Sequence, residues 1–442
     1  MLSGLALLRD PLAALTQGHE QFGDVVCFYV GPIRFISVSD PAHAHHVLVR
    51  NHRNYIKSRN YQGLRLVLGN GLVTSEGEYW RRQRKLAQPA FHHRRLANLA
   101  DTMATCVQEQ LARWDERREP GVDIHDEMMQ LTLRIVGRTL FGMDLGTNLG
   151  DLGPVVTTCL EKANDHAESL VRLPLWLPTP SNRRFGKAKR KLDAIVHEII
   201  EQRRNGEPRD DVLGMLMAAT DETGTERMDD QQLRDEVMTL FMAGHETIAT
   251  SMSWLWMLLH QHPEVAARVR AEVEAVLGDR TPQLEDLPQL VYTGQVISEA
   301  MRLYPPAWIM ERQALADDRL GSWRIPRGSI VAVSPWVLHR NPALWENPLR
   351  FDPDRFTPER SHDRPKHAYL PFGAGPRVCI GNHFALMESK IIVASLVRRY
   401  AIDIARPDAV QLSPRVTLRP AEGMPARLRR LGDPAHRAVA AR

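Results

Sequence analysis

Between Asp229 and His262 the chain reads "DDQQLRDEVMTLFMAGHETIATSMSWLWMLLHQH" and then meets Pro263. Acidic residues open the segment, where they suit a helix N-terminus, and the proline closes it. From Val237 to Leu259 apolar residues go nearly all the way round a helical wheel, which predicts a helix buried through the middle of the fold. Such a helix has to be covered on every side. The 442 residues, 43% of them hydrophobic, suffice for that core, in one large domain or in two or three smaller ones.

Helical periodicity recurs over Glu78 to Leu86, Arg95 to Arg118, His125 to Leu140, Leu160 to Arg172, Phe185 to Arg204, Asp211 to Ala219, Glu264 to Leu277 and Val291 to Leu303. Two β-rich runs between Gln21 and Val49 turn at Gly31-Pro32 and lead into a helix at Asp40-Pro41, which predicts a small N-terminal sheet. After Pro305-Pro306 short strands and turns take over until a helix begins near Asn382. The expectation is a mainly α fold with small β-sheets, of the α+β class. It is β-rich over about 20–75, helix-rich over about 78–303, and built of meander, loops and strands over about 304–442.

Composition narrows the function classes. A net charge of +4, from 57 basic and 53 acidic residues, is too balanced to predict a nucleic-acid partner. The opening "MLSGLALLRDP" is far shorter than the roughly 20 apolar residues of a membrane helix, so a cytoplasmic chain without a membrane anchor is expected. Cys27, Cys106, Cys159 and Cys379 lie far apart with no C-x-x-C pair, which argues against a disulfide framework or a structural zinc site.

Cys379 stands apart from the other three, in "FGAGPRVCIG" (Phe372 to Gly381). Backbone N–H groups freed by glycines, nearby Arg377 and the start of a helix near Asn382 would all favour a thiolate. Gly373, Gly375 and Gly381 would let the backbone approach a flat ligand, and Pro376 stiffens the turn. On these residues alone, a core thiol, half of a zinc site with His383, a nucleophile and a metal ligand all remain open.

Three further constellations carry chemistry. "EAMR" sets Glu299 and Arg302 on one helix face as a charge-assisted pair, and "FDPDRF" supplies Arg355 downstream. "WRRQR" sets Trp80 and Arg84 one turn apart, able to aim an indole N–H and a guanidinium at one anion. "AGHET" (Ala243 to Thr247) puts Gly244 inside the central helix, predicting a local bulge there. Thr247 can bond its own i−4 carbonyl, whereas Glu246 on so apolar a helix needs a partner or a function.

"FGAGPRVCIG" resembles the haem-binding loop of the cytochrome P450 family, F-x-x-G-x-R-x-C-x-G, at every defined position. The other three resemble the family's E-x-x-R with its third arginine, its W-x-x-x-R and its A/G-G-x-D/E-T, and they stand in family order. The resemblance implies a single haem-containing P450 domain over 1–442, with Cys379 the axial thiolate ligand of the iron in haem b and Phe372 packed on the sulfur side. It implies propionate binding by Trp80, Arg84, Arg312 and Arg377, more weakly by Arg65, and a structural triad of Glu299, Arg302 and Arg355. Glu246 and Thr247 become the catalytic pair for O2, the cosubstrate, with Glu246 relaying protons.

By the same resemblance, Ala243, Gly244, Ala307, Trp308 and Ile309 line the oxygen and substrate pocket, within wider walls at 59–72, 160–190, 241–247, 307–310 and 422–424. The implied enzyme is a monomeric bacterial-type monooxygenase acting on an apolar small molecule, a fatty acid or terpenoid first. Its electrons come from NAD(P)H through a ferredoxin or flavodoxin and its reductase, docked on Arg340, Arg364, Lys366 and Lys390. The alternatives are a P450-like peroxygenase or isomerase needing no external electrons, and a non-catalytic haem sensor.

Overall fold

The computed structural model describes residues 2–92, 99–144, 152–169, 174–207, 209, 211–220 and 227–432. The central helix runs Asp230–Gln261, capped by Asp229. The Asp229 carboxylate accepts the Gln232 N–H at 2.7 Å, and the Gln232 side chain accepts the Asp229 N–H at 3.0 Å, so two otherwise orphaned donors are satisfied together. Along the helix Val237, Phe241, Ala249, Trp254 and Leu255 are all buried. Each large apolar side chain buried in this way contributes about 1.5–3 kcal/mol.

The expected bulge at Gly244 is absent, because the helix is continuous through it. The glycine serves packing instead. A Cβ there would lie 3.1 Å from Val136 Cγ2 on the helix Ile124–Leu140, so the missing side chain lets the two helices close up.

The surrounding helices follow the periodicity closely: Gly77–Ala87, Ala100–Glu116, Ile124–Leu140, Leu152–Glu168, Pro180–Asn205, Val212–Ala218, Pro263–Leu277 and Val291–Leu303. Two begin earlier than expected. Pro180–Asn205 starts where the Thr179 side chain accepts the Asn182 N–H and a proline fills the first position, and Leu152–Glu168 starts before Leu160. The expected ends at Arg95 and Arg172 lie outside the described residues.

The sheet is less local than expected. Its six strands run in the order Leu2–Ser3, Val25–Val30, Ile33–Val38, Ile330–Val333, Met310–Ala314 and Tyr55–Lys57. The N-terminal hairpin forms as read, with Phe28 opposite Phe35. Its free edge, however, pairs in parallel with Ile330–Val333 rather than ending locally. At the far edge Tyr55–Lys57 runs antiparallel to Met310–Ala314, and the register sets Lys57 directly opposite Arg312. Like charges facing across a ladder are destabilising unless something anionic lies between them.

Candidate active site

The cysteine loop is held by its own backbone. Cys379 donates its N–H to the Phe372 carbonyl at 2.9 Å, and Gly373 and Gly375 take φ of 73° and 69°, which only glycine adopts readily. A Cβ on Gly375 would lie 2.1 Å from the Leu48 carbonyl oxygen, so this glycine allows close approach of another chain segment rather than of a flat ligand. Gly381 precedes the helix Asn382–Arg399, which places Cys379 just before a helix N-terminus.

The Cys379 thiol is reachable by solvent although dense protein surrounds it, as for a group on the floor of a cleft. Burial pushes its pKa up, while the Gly381 N–H and the Arg84 charge act to lower it. The cation beside the sulfur is therefore Arg84, which also donates to the Val378 carbonyl at 2.9 Å. Arg377 turns elsewhere: it donates to the Ser75 carbonyl, pairs with Glu76 and lies 3.8 Å above the Trp80 ring. The Trp80 ring is stacked beneath Arg377, while Arg84 faces the cysteine loop.

A cluster of cations adjoins the loop. Burial depresses the Lys57 ammonium, and the charges of Arg312 and Arg377 depress it further against the pull of Glu76. The Lys57 ammonium sits 4.3 Å over the Tyr61 ring. The neighbouring carboxylate, Glu76, accepts the Lys57 N–H at 2.7 Å and pairs with Arg377. Two arginines and a lysine meet here beside Glu76, with Glu311 next to Arg312, a setting suited to further negative charge. Lys57 escaped the sequence reading, because a lysine in a short strand carries no signal until its partner strand is known, and Tyr61 entered it only within the 59–72 pocket wall. Arg65 is not part of this cluster; it donates to Thr74 and Asn70.

On the central helix, Ala243 is exposed and Gly244 and Thr247 are half-buried, although the residues around them are buried. One face of the helix therefore opens onto interior space. Thr247 Oγ1 makes the local bond to the Ala243 carbonyl at 2.8 Å. Glu246 points away from that face. Its Oε1 accepts the Thr417 hydroxyl at 2.6 Å, burial pushes the carboxyl up, and the Thr417 bond and Arg419 partly oppose the rise. Thr417 and Arg419 were invisible in the sequence, lying far downstream in no recognisable pattern.

A cavity of about 450 Å³ is lined by Arg59, Asn60, Tyr61 and Leu64, by Ala163, Asn164, Ala167 and Ser169, and by Trp308, Ile309 and Glu311. Three of the expected walls contribute. Two do not: no residue of 241–247 lines the cavity, and Ala421 lines it where 422–424 was expected, because Met424 is fully buried in the core. The N-terminal Leu7, Leu8 and Arg9 and the hairpin residues 412–416 are additional walls. Ala307 is exposed but not on this wall, and neither is Cys379.

The Cytochrome P450 family profile matches residues 2–424. This chain belongs to the cytochrome P450 family. Cyclooctatin synthase of Streptomyces melanosporofaciens is 39% identical over 409 residues, covering 90% of this chain and 87% of the relative. Pentalenene oxygenase of Streptomyces avermitilis is 35% identical over 409 residues, covering 91% and 89%. Among solved structures, the cytochrome P450DA heme domain superposes with a TM-score of 0.87 at 27% identity, covering 96% of this chain and 94% of that one. Retinoic acid-bound cyanobacterial CYP120A1 gives 0.86 at 27% identity, covering 97% and 96%. The P450 is accordingly a monooxygenase of the haem-dependent class.

The residues present fit a haem. A cleft-floor thiol before a helix N-terminus, a cation beside it, and a surplus of buried positive charge nearby match one thiolate and two propionates. The P450's predicted triad is also in place. Arg302 grips Glu299 through Nε at 2.6 Å and Nη2 at 2.8 Å, while Arg355 Nε reaches Glu299 Oε1 at 3.3 Å. Arg302 also donates to the carbonyls of His339, Pro348 and Arg350, so one buried fork ties the helix to the meander before the cysteine loop.

The basic face expected to dock a redox partner is mostly committed inside the P450. Arg340 lies 3.3 Å over the Trp336 ring and bonds the Leu303 carbonyl, and burial pushes it down to about 9. Arg364 stacks on Trp345 and bonds the Arg355 carbonyl, and Lys390 donates to the Leu287 carbonyl at 2.6 Å. Lys366 alone of the four is exposed. No helix among the described residues is long and apolar enough to cross a membrane.

Proposed function

We propose that this P450 oxidises a terpenoid, with Cys379 ligating the haem iron and electrons reaching it from NAD(P)H through a separate ferredoxin or flavodoxin and its reductase. The solvent-reachable, deeply set Cys379 thiol carries the ligand assignment. The terpenoid assignment is supported by the relatives named as cyclooctatin synthase and pentalenene oxygenase, and by a cavity of about 450 Å³, a size suited to a small apolar molecule.

Bound haem supplies the activation of O2 and the transfer of one oxygen atom to the substrate. The chain's own residues do the rest. Arg84 and the Gly381 N–H stabilise negative charge on sulfur. Lys57, Arg312 and Arg377 hold carboxylates in the protein interior. Glu246, whose carboxyl burial pushes up, stands next in sequence to Thr247, whose hydroxyl lies on the open helix face, and Thr417 fixes the orientation of that acid.

The spectrum of the reduced, CO-bound protein tests the ligand. A strongly red-shifted Soret band is expected, and its survival in Cys379→Ala would overturn the assignment. Titration with terpenes and fatty acids, followed by the haem spin state, tests the substrate class. Turnover with a surrogate reductase and ferredoxin then separates the remaining readings. Product formed only with peroxide would mark a peroxygenase, and binding without product from any donor would mark a sensor.

A further inference from the structure

We infer that the cavity accepts a terpenoid that already carries a hydroxyl group, and that Glu311 binds that hydroxyl. The inference rests on the terpenoid reading and narrows it. Met310–Ala314 is a strand, so its successive side chains take opposite faces. Arg312 goes to the cation cluster, and Glu311 lines the cavity.

Glu311 is held in place from one side only. Its Oε2 accepts the Ser58 hydroxyl at 2.6 Å and the Asn60 amide at 2.8 Å. Oε1 has no partner among the described residues. Burial pushes the carboxyl up, against the Ser58 and Asn60 hydrogen bonds and the Arg312 charge, and with Oε2 already accepting two bonds it is Oε1 that is left to bond a ligand.

Neighbouring polar groups are already engaged. The Trp308 indole N–H donates to the Arg415 carbonyl at 2.8 Å, and Tyr61 bonds Arg312. The cavity wall carries apolar Leu64, Ile309 and Ile330 together with Arg9, Arg59 and Arg415. A plain hydrocarbon packed here would leave Oε1 unpaired against apolar surface. An alcohol can hydrogen-bond Oε1 while its carbon skeleton packs in the cavity. The enzyme would then follow a reaction that installs a C–O bond on the same skeleton, such as an earlier hydroxylation or a cyclisation quenched by water.

The test uses the haem-loaded protein with a matched pair, a sesquiterpene or diterpene hydrocarbon and its mono-alcohol, read by spin-state titration and by equilibrium dialysis. The alcohol should bind about tenfold tighter to the wild type. Glu311→Leu should remove that preference. Glu311→Gln should keep it, because the amide oxygen still accepts from Ser58 and Asn60 while the NH2 group donates into the cavity. Equal binding of the two ligands by the wild type overturns the inference whether or not Glu311→Leu folds, and an equal loss for both ligands in Glu311→Leu overturns it too. Failure of every terpenoid to bind, with fatty acids binding normally, overturns the terpenoid reading instead.

Discussion

Thr417 donates a 2.6 Å hydrogen bond to Glu246, joining a hairpin that walls the cavity to the middle of the central helix. Both residues are buried, so the bond has no water to replace it. Thr417→Val removes the one donor that this desolvated carboxyl has among the described residues while keeping the side-chain shape. The expected cost is about 1–3 kcal/mol in urea unfolding. Product formed per NAD(P)H consumed should also fall and peroxide release rise; unchanged coupling would show that Thr417 plays no part in presenting the Glu246 proton.

Glu299→Gln should be far more damaging than its surface chemistry suggests. The carboxylate is buried and shared by Arg302 and Arg355, so its neutralisation leaves two guanidinium groups in the interior without their counter-charge. Removing one member of such a buried set costs about 3–5 kcal/mol. The measurement is denaturant unfolding together with the fraction of purified protein that carries haem, and both should drop.

Gly244→Ala pits helix propensity against packing. Alanine favours the helix by about 1 kcal/mol, but its Cβ would meet Val136 Cγ2 at 3.1 Å, and overpacking costs about 1–3 kcal/mol. A net loss of thermal stability is expected for the single variant. Adding Val136→Ala removes the contact, so the double variant should be more stable than the additive sum of the two singles. Strict additivity would mean that the two helices are not in contact at this point.

Glu236 confers a pH dependence on stability. It accepts the Leu72 N–H at 3.1 Å, and burial pushes its carboxyl from the ordinary 4.5 up to about 8. Between those values the folded protein keeps the proton and the unfolded chain releases it. Its contribution is therefore fully present below the ordinary value, declines as pH rises, and is lost by the folded pKa. The slope in that window is at most about 1.4 kcal/mol per pH unit, and the urea midpoint should fall from pH 5 to pH 8. Glu236→Gln should flatten that fall, and an unchanged profile would show that the carboxyl titrates normally.

Much of the architecture could be read locally. The central helix announces itself by an apolar surface all round and by acidic residues ahead of a terminal proline, all of them short-range properties of the chain. The same holds for the Glu299–Arg302 pair, which one helical turn brings together, and for Cys379, which a left-handed turn at Gly375 delivers to a helix N-terminus. Where the reading failed, the cause was a contact between distant segments. Gly244 reads as a weak point until Val136 is seen against it, and Gly375 reads as a ligand cradle until the Leu48 carbonyl is placed beside it.

By itself, the sequence determined the helices, the N-terminal hairpin, the thiol before its helix and the family's motifs, because periodicity, capping and turn chemistry act over a few residues. Only the tertiary structure decided how charges and hydrogen bonds were shared out. It put Arg84 rather than Arg377 beside the sulfur, set Lys57 across from Arg312, gave Glu246 to Thr417, and left one oxygen of Glu311 on the cavity wall. The physical reason is that a buried polar group must find its partner in three dimensions, and strand pairing and helix packing choose that partner across hundreds of residues of chain.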